Sequence, residues 1–272
     1  MDTSARIRKH YGDADLAARI LDALGKAGQD AGALSAEALY PFDQLHGRGL
    51  AATKEHVAKL GLDAGRHVLD VGSGIGGPAR YMAATFGARV TGIDLTPEFV
   101  ATARELTRRS GLDGLASFEQ GDALAMPFPA ESFDAATCLY VAMNIPDKPG
   151  LIGEIARVLK PGGRLVWSQV VLAGGGPPTF PLPWARDPAA SFLVTPEELR
   201  KAFAHPHLKL VEWSDESDKI RSFNAAVRAT PPETAAALEM VRGADFRERG
   251  RNFNQGFAEG RLGGVAIVAE RV

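Results

Sequence analysis

Residues 68–77, Val-Leu-Asp-Val-Gly-Ser-Gly-Ile-Gly-Gly, decide the fold that this sequence predicts. The first four residues are typical of a short buried strand, and the glycines after them predict a tight turn. From Pro78 onwards, the run Ala-Arg-Tyr-Met-Ala-Ala-Thr-Phe predicts a helix. A strand, a glycine turn and a helix in this order form a nucleotide-binding crevice, because glycine lets the backbone approach a ligand closely.

The glycine pattern alone fits more than one class of cofactor. Gly72, Gly74 and Gly77 satisfy the G-x-G-x-x-G pattern of dinucleotide binders, in which a helix N-terminus holds a pyrophosphate. However, Asp70 stands two residues before the first glycine. A carboxylate repels a pyrophosphate, so Asp70 favours a ligand with a cationic amino-acid tail.

Acidic residues also follow the next two predicted strands. The second strand ends at Asp94, and both cofactor classes use an acid at this place to accept hydrogen bonds from ribose hydroxyls. A third strand leads into Glu119-Gln-Gly-Asp-Ala123, where Asp122 is placed to bind an adenine amino group. The acid at the end of this third strand, Asp122, favours the cofactor with a cationic amino-acid tail over a dinucleotide.

Four successive motifs now resemble those of class I S-adenosylmethionine-dependent methyltransferases. They are 70–76, Asp94, 121–123 and 159–165, and the resemblance covers roughly residues 50–172. Two further stretches, 43–49 (Asp-Gln-Leu-His-Gly-Arg-Gly) and 141–145 (Val-Ala-Met-Asn-Ile), resemble the small-molecule branch that includes the sarcosine and dimethylglycine N-methyltransferases.

The resemblance, with strands that alternate with helices, implies an α/β, Rossmann-like fold. The expected sheet has seven mostly parallel strands, helices on both faces and a last strand that runs antiparallel. We expect an N-terminal helical cap at residues 1–50 and a cofactor-binding core at 51–172. Residues 173–272 are expected to add a lid, a helical insertion and the strands that complete the domain; the Gly- and Pro-rich run 173–194 predicts the lid.

The resemblance also implies the cofactor, S-adenosyl-L-methionine, its product S-adenosyl-L-homocysteine and the cofactor-binding residues. Asp70 is expected near the ammonium group, Asp94 at the ribose and Asp122 at the adenine. The full set of expected cofactor-binding residues is Asp70, Gly72, Ser73, Gly74, Gly76, Asp94, Leu95, Asp122, Ala123 and Leu139.

Acceptor residues are expected in the stretch after the fourth strand, in the loop before the first strand and in the lid. His46 and Asn144 are the candidate catalytic residues, because imidazole takes up a proton near neutral pH and an amide can hold a polar acceptor group. The candidate substrate residues are Arg48, Tyr140, Met143, Trp184 and Arg186. Trp184 is equally consistent with plain packing, and the two arginines fit a carboxylate-bearing amine such as a glycine derivative.

Composition limits the remaining choices. A formal charge of −2, from 31 basic and 33 acidic residues, does not favour nucleic acid or an anionic membrane. The start of the chain has no signal-peptide pattern, which predicts a cytoplasmic protein, and the scattered histidines predict no metal site. The expected partner is a small-molecule acceptor, and the atom expected to receive the methyl group is an amine nitrogen. The alternatives are O- or C-methylation of a natural-product or quinone-like acceptor, a NAD(P)-dependent oxidoreductase, and a binding protein without catalysis, with the oligomeric state open.

Overall fold

A computed structural model describes residues 15–26, 28–30, 32–227, 243 and 245–272. Residues 1–14, 27 and 31 of the predicted N-terminal cap lie outside these residues. So do residues 228–242 and 244, which belong to the stretch 219–258 where the sequence predicts the helical insertion. The helices are α1 (Leu16–Lys26), α2 (Ala36–Asp43), α3 (Gly49–Val57), α4 (Gly77–Phe86), α5 (Pro97–Arg109), α6 (Lys148–Val158), α7 (Pro196–Ala202), α8 (Ser217–Val227) and α9 (Phe246–Ala258). The strands are β1 (His67–Val71), β2 (Arg89–Asp94), β3 (Ala116–Gln120), β4 (Phe133–Leu139), β5 (Leu159–Leu172), β6 (Leu208–Asp215) and β7 (Leu262–Arg271).

The strands form one seven-stranded sheet in the order β3-β2-β1-β4-β5-β7-β6. The pairs from β3 to β5 are parallel, whereas β7 runs antiparallel to both β5 and β6. This confirms the predicted fold class. The strand order reverses between β1 and β4, and ligands bind outside the carboxyl ends of parallel strands at such a point.

Helices cover both faces of the sheet and thereby bury its central strands on both sides. On one face α6 and α7 pack through Leu151, Ile155 and Leu199 against β4 and β5. On the other face, Val57, Met82 and Val100 of α3, α4 and α5 pack against β1 and β2. Burial on both faces explains why the strands are apolar runs rather than alternating patterns.

The N-terminal segment packs beside the glycine turn. Leu16, Ile20 and Leu24 of α1 form one apolar stripe, and they join Leu39 of α2 in a cluster that also contains Ile75 and Phe99. This packing brings the end of α2 and the loop after it to the edge of the sheet that carries the strand ends. The described part of the predicted cap therefore lies at the cofactor crevice.

Two strand boundaries differ from those that the sequence predicts, which are 133–141 for the fourth strand and 164–171 for the fifth. The fourth strand ends at Leu139, because the chain turns at Tyr140, which has a positive φ of 59°. The fifth strand begins at Leu159, since the Lys-Pro-Gly-Gly turn lies inside it as an irregularity between two pairs with β4.

Candidate active site

The turn between β1 and α4 has the backbone that only glycine adopts without strain. Gly72, Gly74 and Gly76 have φ values of +66°, +53° and +84°. The N–H groups of Gly72 and Ser73 both donate to the carbonyl of Ile93 on β2, at 2.8 and 3.0 Å. A Cβ atom on Gly72 would lie 2.4 Å from Val141, whereas one on Gly74 would extend into open space. The turn thus leaves room for a ligand at Gly74.

A cavity of about 380 Å³ opens at this turn, at the carboxyl ends of β1, β2, β3 and β4. Its volume is in the range of small-molecule and cofactor sites. Of the expected cofactor-binding residues, all but Gly76 line it. The lining residues are Asp43, Leu45, His46, Asp70, Gly72, Ser73, Gly74, Ile75, Pro78, Ile93, Asp94, Leu95, Thr96, Phe99, Gly121, Asp122, Ala123, Leu124, Leu139, Tyr140, Val141, Asn144, Ile145 and Pro146.

Asp70 is almost fully buried at the end of β1, with 2% of its surface exposed. Its Oδ1 accepts a hydrogen bond of 2.7 Å from the hydroxyl of Thr137 on β4. Among the described residues, Oδ2 of Asp70 and the neighbouring hydroxyl of Ser73 have no hydrogen-bond partner. Burial raises the pKa of Asp70 to about 7, and the nearby carboxylate of Asp94 adds to this. A cationic ligand group would supply the missing partner and restore the charged form.

Asp94 at the end of β2 is held by backbone donors. Its Oδ2 accepts from the N–H of Gly74 and its Oδ1 from the N–H of Thr96, both at 2.9 Å. Burial raises the pKa of this carboxyl group as well, while the two amides partly offset the rise. Each carboxylate oxygen can accept a second hydrogen bond, which suits the two neighbouring hydroxyls of a ribose.

The end of β3 forms the outer rim of the cavity. Asp122 is exposed, and its Oδ1 accepts from the N–H of Leu124 at 2.9 Å. Ala123 and Leu124 line the wall beside it, and Leu95 and Phe99 come from the loop and helix after β2. These side chains provide apolar surfaces for a flat ring, and Asp122 provides a polar edge.

The opposite end of the cavity carries His46, Tyr140 and Asn144. The rings of His46 and Tyr140 are stacked, with centroids 5.6 Å apart and an interplanar angle of 12°. Gly47 allows this contact, because a Cβ atom there would lie 2.7 Å from the Tyr140 ring. Burial raises the pKa of Tyr140 to about 12, so its hydroxyl keeps its proton at neutral pH.

A buried ion pair that the sequence interpretation did not contain joins α2 to the glycine turn. The Arg80 guanidinium of α4 donates to the Asp43 carboxylate at 2.9 Å and to the carbonyl of Ile75 at 2.7 Å, and both charged side chains are fully buried. Burial raises the pKa of Asp43, and the paired guanidinium opposes the rise. The pair fixes the loop that carries His46, and the apolar run around Arg80 gave no sign of it.

Several of the expected site residues lie outside the cavity. Gly76 packs against Arg80 and Phe118, where a Cβ atom would lie 2.7 Å from both side chains. Arg48 pairs with Glu216 and Glu55. Arg186 is exposed and pairs with Asp245.

Trp184 and Met143 also lie outside the cavity, in an apolar cluster. Both are buried there, together with Phe253 and Phe257 of α9. The Nε1–H of Trp184 donates to the hydroxyl of Ser191 at 3.0 Å. Of the stretch 173–194, predicted as a lid, Leu182, Trp184 and Ala185 are buried in this cluster, and none of its residues lines the cavity.

The described residues contain no group of three or more histidine, cysteine or acidic side chains arranged to hold a metal ion. They also contain no helix with the length and apolar character that crossing a bilayer requires.

Comparison with known proteins identifies the core. Residues 69–167 match the family model described as a methyltransferase domain. This part of the chain is similar to a methyltransferase domain. The region runs from β1 into β5 and contains the expected cofactor-binding residues, so the family predicted from the sequence motifs is confirmed for this part of the chain.

Curated relatives match over part of their length. The methyltransferase GfsG of Streptomyces halstedii is 36% identical over 133 residues, which are 49% of this chain and 48% of that protein. The chain spans about half or less of the length of the curated relatives it matches. By name, these relatives include C-, N- and O-methyltransferases.

Solved structures share the fold across the chain. A geranyl diphosphate C-methyltransferase from Streptomyces coelicolor, solved with S-adenosyl-L-homocysteine, superposes with a TM-score of 0.73 at 20% identity, over 100% of this chain and 99% of that one. A protein from Galdieria sulphuraria, described as a putative sarcosine dimethylglycine methyltransferase, has a TM-score of 0.61 at 19% identity, over 81% of this chain and 84% of that one. At these identities the likeness supports the fold, and the acceptor needs separate evidence.

Proposed function

We propose that this chain is an S-adenosylmethionine-dependent methyltransferase that acts on a small-molecule acceptor. The observation that carries the proposal is the convergence of Asp70, Asp94 and Asp122, from three strand ends, on one cavity beside the glycine turn. A dinucleotide would bring a pyrophosphate to this turn, next to a buried carboxylate that repels it. An adenosine with a cationic amino-acid tail instead offers a partner to each of the three acids.

Each acid has a separate part in the proposed binding mode. Asp70, whose Oδ2 is buried and in need of a donor, faces the ammonium group. Asp94, which is already oriented by two backbone amides, accepts from the ribose hydroxyls. Asp122 and Ala123 at the rim bind the adenine edge, with Leu95 against the ring. Gly72, Ser73 and Gly74 lie along the methionine part, and Leu139 lies beside the sulfonium.

The cofactor supplies an electrophilic methyl group, so the protein must align the acceptor and exclude water. His46 and Asn144 lie at the other end of the cavity from the adenine rim and are proposed to contact the acceptor, together with Tyr140. His46 takes the proton that the acceptor loses, and Asn144 orients a polar group of the acceptor.

An amine nitrogen is the acceptor atom that the sequence resemblance favours. If that amine also carries a carboxylate, Arg48 and Arg186 are the residues expected to bind it. Both arginines, however, are paired with acidic side chains of the protein. No lysine or arginine of the described chain lines the cavity, and its lining is mostly apolar. These observations favour O- or C-methylation of an apolar acceptor as the second candidate.

An acceptor panel separates these candidates. The protein is incubated with S-adenosylmethionine and, in parallel, with glycine, sarcosine and dimethylglycine, with apolar amines, and with phenols and hydroquinones. Formation of S-adenosylhomocysteine above the acceptor-free rate is the readout, and mass spectrometry locates the new methyl group. We expect turnover with one acceptor class. Tight cofactor binding without turnover across the whole panel would instead support a binding protein.

A further inference from the structure

Lys148, the first residue of α6, is buried in a place that disfavours its charge. Only 3% of the residue is exposed, and it lies at the N-terminus of the helix, where the helix dipole repels a cation. Both hydrogen bonds that its ammonium group donates within the described chain go to backbone carbonyls. The neighbouring carboxylate of Asp147 caps α6 instead, by accepting from the N–H of Gly150 at 2.8 Å. In folded proteins, positions that break such rules are commonly functional.

The two carbonyls that Lys148 binds belong to segments that are far apart in sequence. One is the carbonyl of Ile145, which lies in the wall of the cavity. The other is the carbonyl of Phe192, at 2.7 Å, in the stretch 173–194. The N–H of Phe192 in turn donates to the carbonyl of Met143 at 2.8 Å. Lys148 therefore joins the cavity wall to a segment that itself lines no part of the cavity.

Stability alone does not explain a charge at this position. Burial lowers the pKa of Lys148 to about 8, because the ammonium group is kept away from water. Even buried ion pairs can often be replaced by apolar side chains of similar volume without loss of stability, and within the described chain Lys148 has no such pair. A charged donor does, however, form hydrogen bonds about twice as strong as those of a neutral donor. The charge therefore serves to hold the two carbonyls firmly in place.

We propose that Lys148 is a positioning residue, whose ammonium group holds the cavity wall 144–146 in the position that binds the acceptor. This rests on the proposed function, in which Asn144 contacts the acceptor. All three wall residues line the cavity, whereas Lys148 does not. Lys148 thus acts on the acceptor through the backbone of Ile145 and Phe192. Its loss should weaken acceptor binding and leave cofactor binding unchanged.

Hydrogen exchange, followed by NMR, tests the proposal without any knowledge of the acceptor. The amide of Phe192, bonded to Met143, reports whether the cavity wall stays joined to the stretch 173–194. In Lys148→Met, which keeps most of the side-chain length but removes the charge and the donors, this amide should exchange about tenfold faster or more. Asp147→Ala is the matched control, because it removes the cap at the same helix end and leaves both bonds of Lys148 in place. Unchanged exchange in Lys148→Met, or an equal increase in both variants, overturns the proposal.

The wild-type protein supplies a second test that needs no variant. The titratable groups that act on Lys148 are the thiol of Cys138 on β4 and the carboxylate of Asp147. Burial raises the pKa of the thiol, so it stays protonated while Lys148 loses its proton around pH 8. Protection of the Phe192 amide, corrected for the intrinsic pH dependence of exchange, should therefore fall severalfold between pH 7 and pH 9.5. The amide of Val100, in α5 on the other face of the sheet, should keep its protection. Constant protection of Phe192 over this range would contradict the role of the charge.

Binding and turnover separate this inference from the proposed function. Calorimetry with S-adenosylhomocysteine should give the same affinity for wild type, Lys148→Met and Asp147→Ala. Absence of binding to wild type counts against the proposed function and leaves the exchange result intact. With an acceptor from the panel, Lys148→Met should raise the KM for the acceptor about tenfold at pH 7 at an unchanged KM for the cofactor. An acceptor KM at the wild-type value, or one that rises as much in Asp147→Ala, overturns the positioning role.

The pH dependence of turnover distinguishes the charge of Lys148 from a purely structural contact. Dividing the acceptor KM of Lys148→Met by that of wild type, at saturating cofactor, removes the titration of the acceptor itself. This ratio should fall severalfold between pH 7 and pH 9.5, because the wild type then loses the charge that the variant lacks throughout. A ratio that stays constant over this range would show that the charge of Lys148 has no part in acceptor binding.

Discussion

The two ends of the cavity are built in different ways. At the cofactor end, the acids lie at or just after the ends of three neighbouring parallel strands, and a backbone amide of the glycine turn donates to one of them. At the acceptor end, His46, Tyr140 and Asn144 come from loops and a short 3₁₀ turn, and side-chain contacts between distant elements hold them. In the proposed binding mode, cofactor binding therefore depends on the sheet, whereas acceptor choice depends on how loops pack.

Removal of the ribose acceptor should have the largest effect on the cofactor end. In Asp94→Ala, two hydroxyls lose charged hydrogen bonds and two backbone amides lose their acceptor, so affinity for S-adenosylhomocysteine should fall more than about 100-fold. Calorimetry measures this, with Asp113→Ala as an exposed acidic control that should bind normally. Affinity unchanged in Asp94→Ala would remove this residue from the site.

Asp70→Asn should show that the buried carboxylate proposed to bind the cofactor lowers the free energy of unfolding of the cofactor-free protein. With a pKa of about 7, Asp70 binds a proton more tightly in the folded protein than in the unfolded chain, so its contribution to the free energy of unfolding is lost as pH rises from about 4 to about 7. Without cofactor, Asp70→Asn should therefore be more stable than wild type at pH 8, by a few kcal/mol at most.

The same variant should bind the cofactor more weakly. Its affinity for S-adenosylmethionine at pH 8 should fall about 30-fold, because the ammonium group loses its buried counter-charge. Affinity of the wild type should increase with pH up to about 7 and then level off, since only the ionised carboxylate binds. Thermal denaturation and calorimetry over this pH range measure both effects, and a wild-type affinity independent of pH would contradict the role of Asp70.

Substitutions at two glycines with similar backbone conformation distinguish the effect of backbone strain from the effect of contact with the ligand. Gly74 and Gly61 have φ values of +53° and +62°, and a Cβ atom on either would meet no atom within 4 Å. Gly74→Ala and Gly61→Ala should each lower stability by about 1 kcal/mol. Only Gly74→Ala places a methyl group in the cavity, and it should weaken cofactor binding about tenfold. Equal affinities in the two variants would show that the cofactor lies away from this turn.

Trp184→Phe should have the smallest effect on function. The change removes the hydrogen bond to Ser191 and part of the packing against Phe253, which should cost about 2 kcal/mol of stability. Because Trp184 lies outside the cavity lining, affinity for the cofactor and KM for the acceptor should stay within about twofold of wild type. A large rise in the acceptor KM would support the lid role that the sequence predicts for 173–194.

The cofactor end could be predicted from the sequence because its signals are local. An acid at a strand end and glycines in the following turn stand next to each other in the chain, and parallel strands bring their carboxyl ends together. The position of Asp122 therefore followed from its place after β3, and the antiparallel β7 followed from the family resemblance.

The acceptor end could not be predicted in the same way, because its contacts join residues far apart in sequence. Arg48 pairs with Glu216, 168 residues away, so the guanidinium that was expected to bind a carboxylate substrate is used within the protein. Arg80 lies in an apolar helix and needs a buried acid, which the last residue of α2 supplies from 37 residues away. Neither pair leaves a local pattern in the sequence.

The most direct test of the central claim is a calorimetric titration of the wild-type protein with S-adenosylmethionine, S-adenosylhomocysteine and NAD⁺ at pH 8. We predict that the first two bind at one site per chain and that NAD⁺ does not bind, because Asp70 and Asp94 match an ammonium group and a ribose but repel a pyrophosphate. Binding of NAD⁺ alone, or of none of the three, would contradict the proposed use of this cavity.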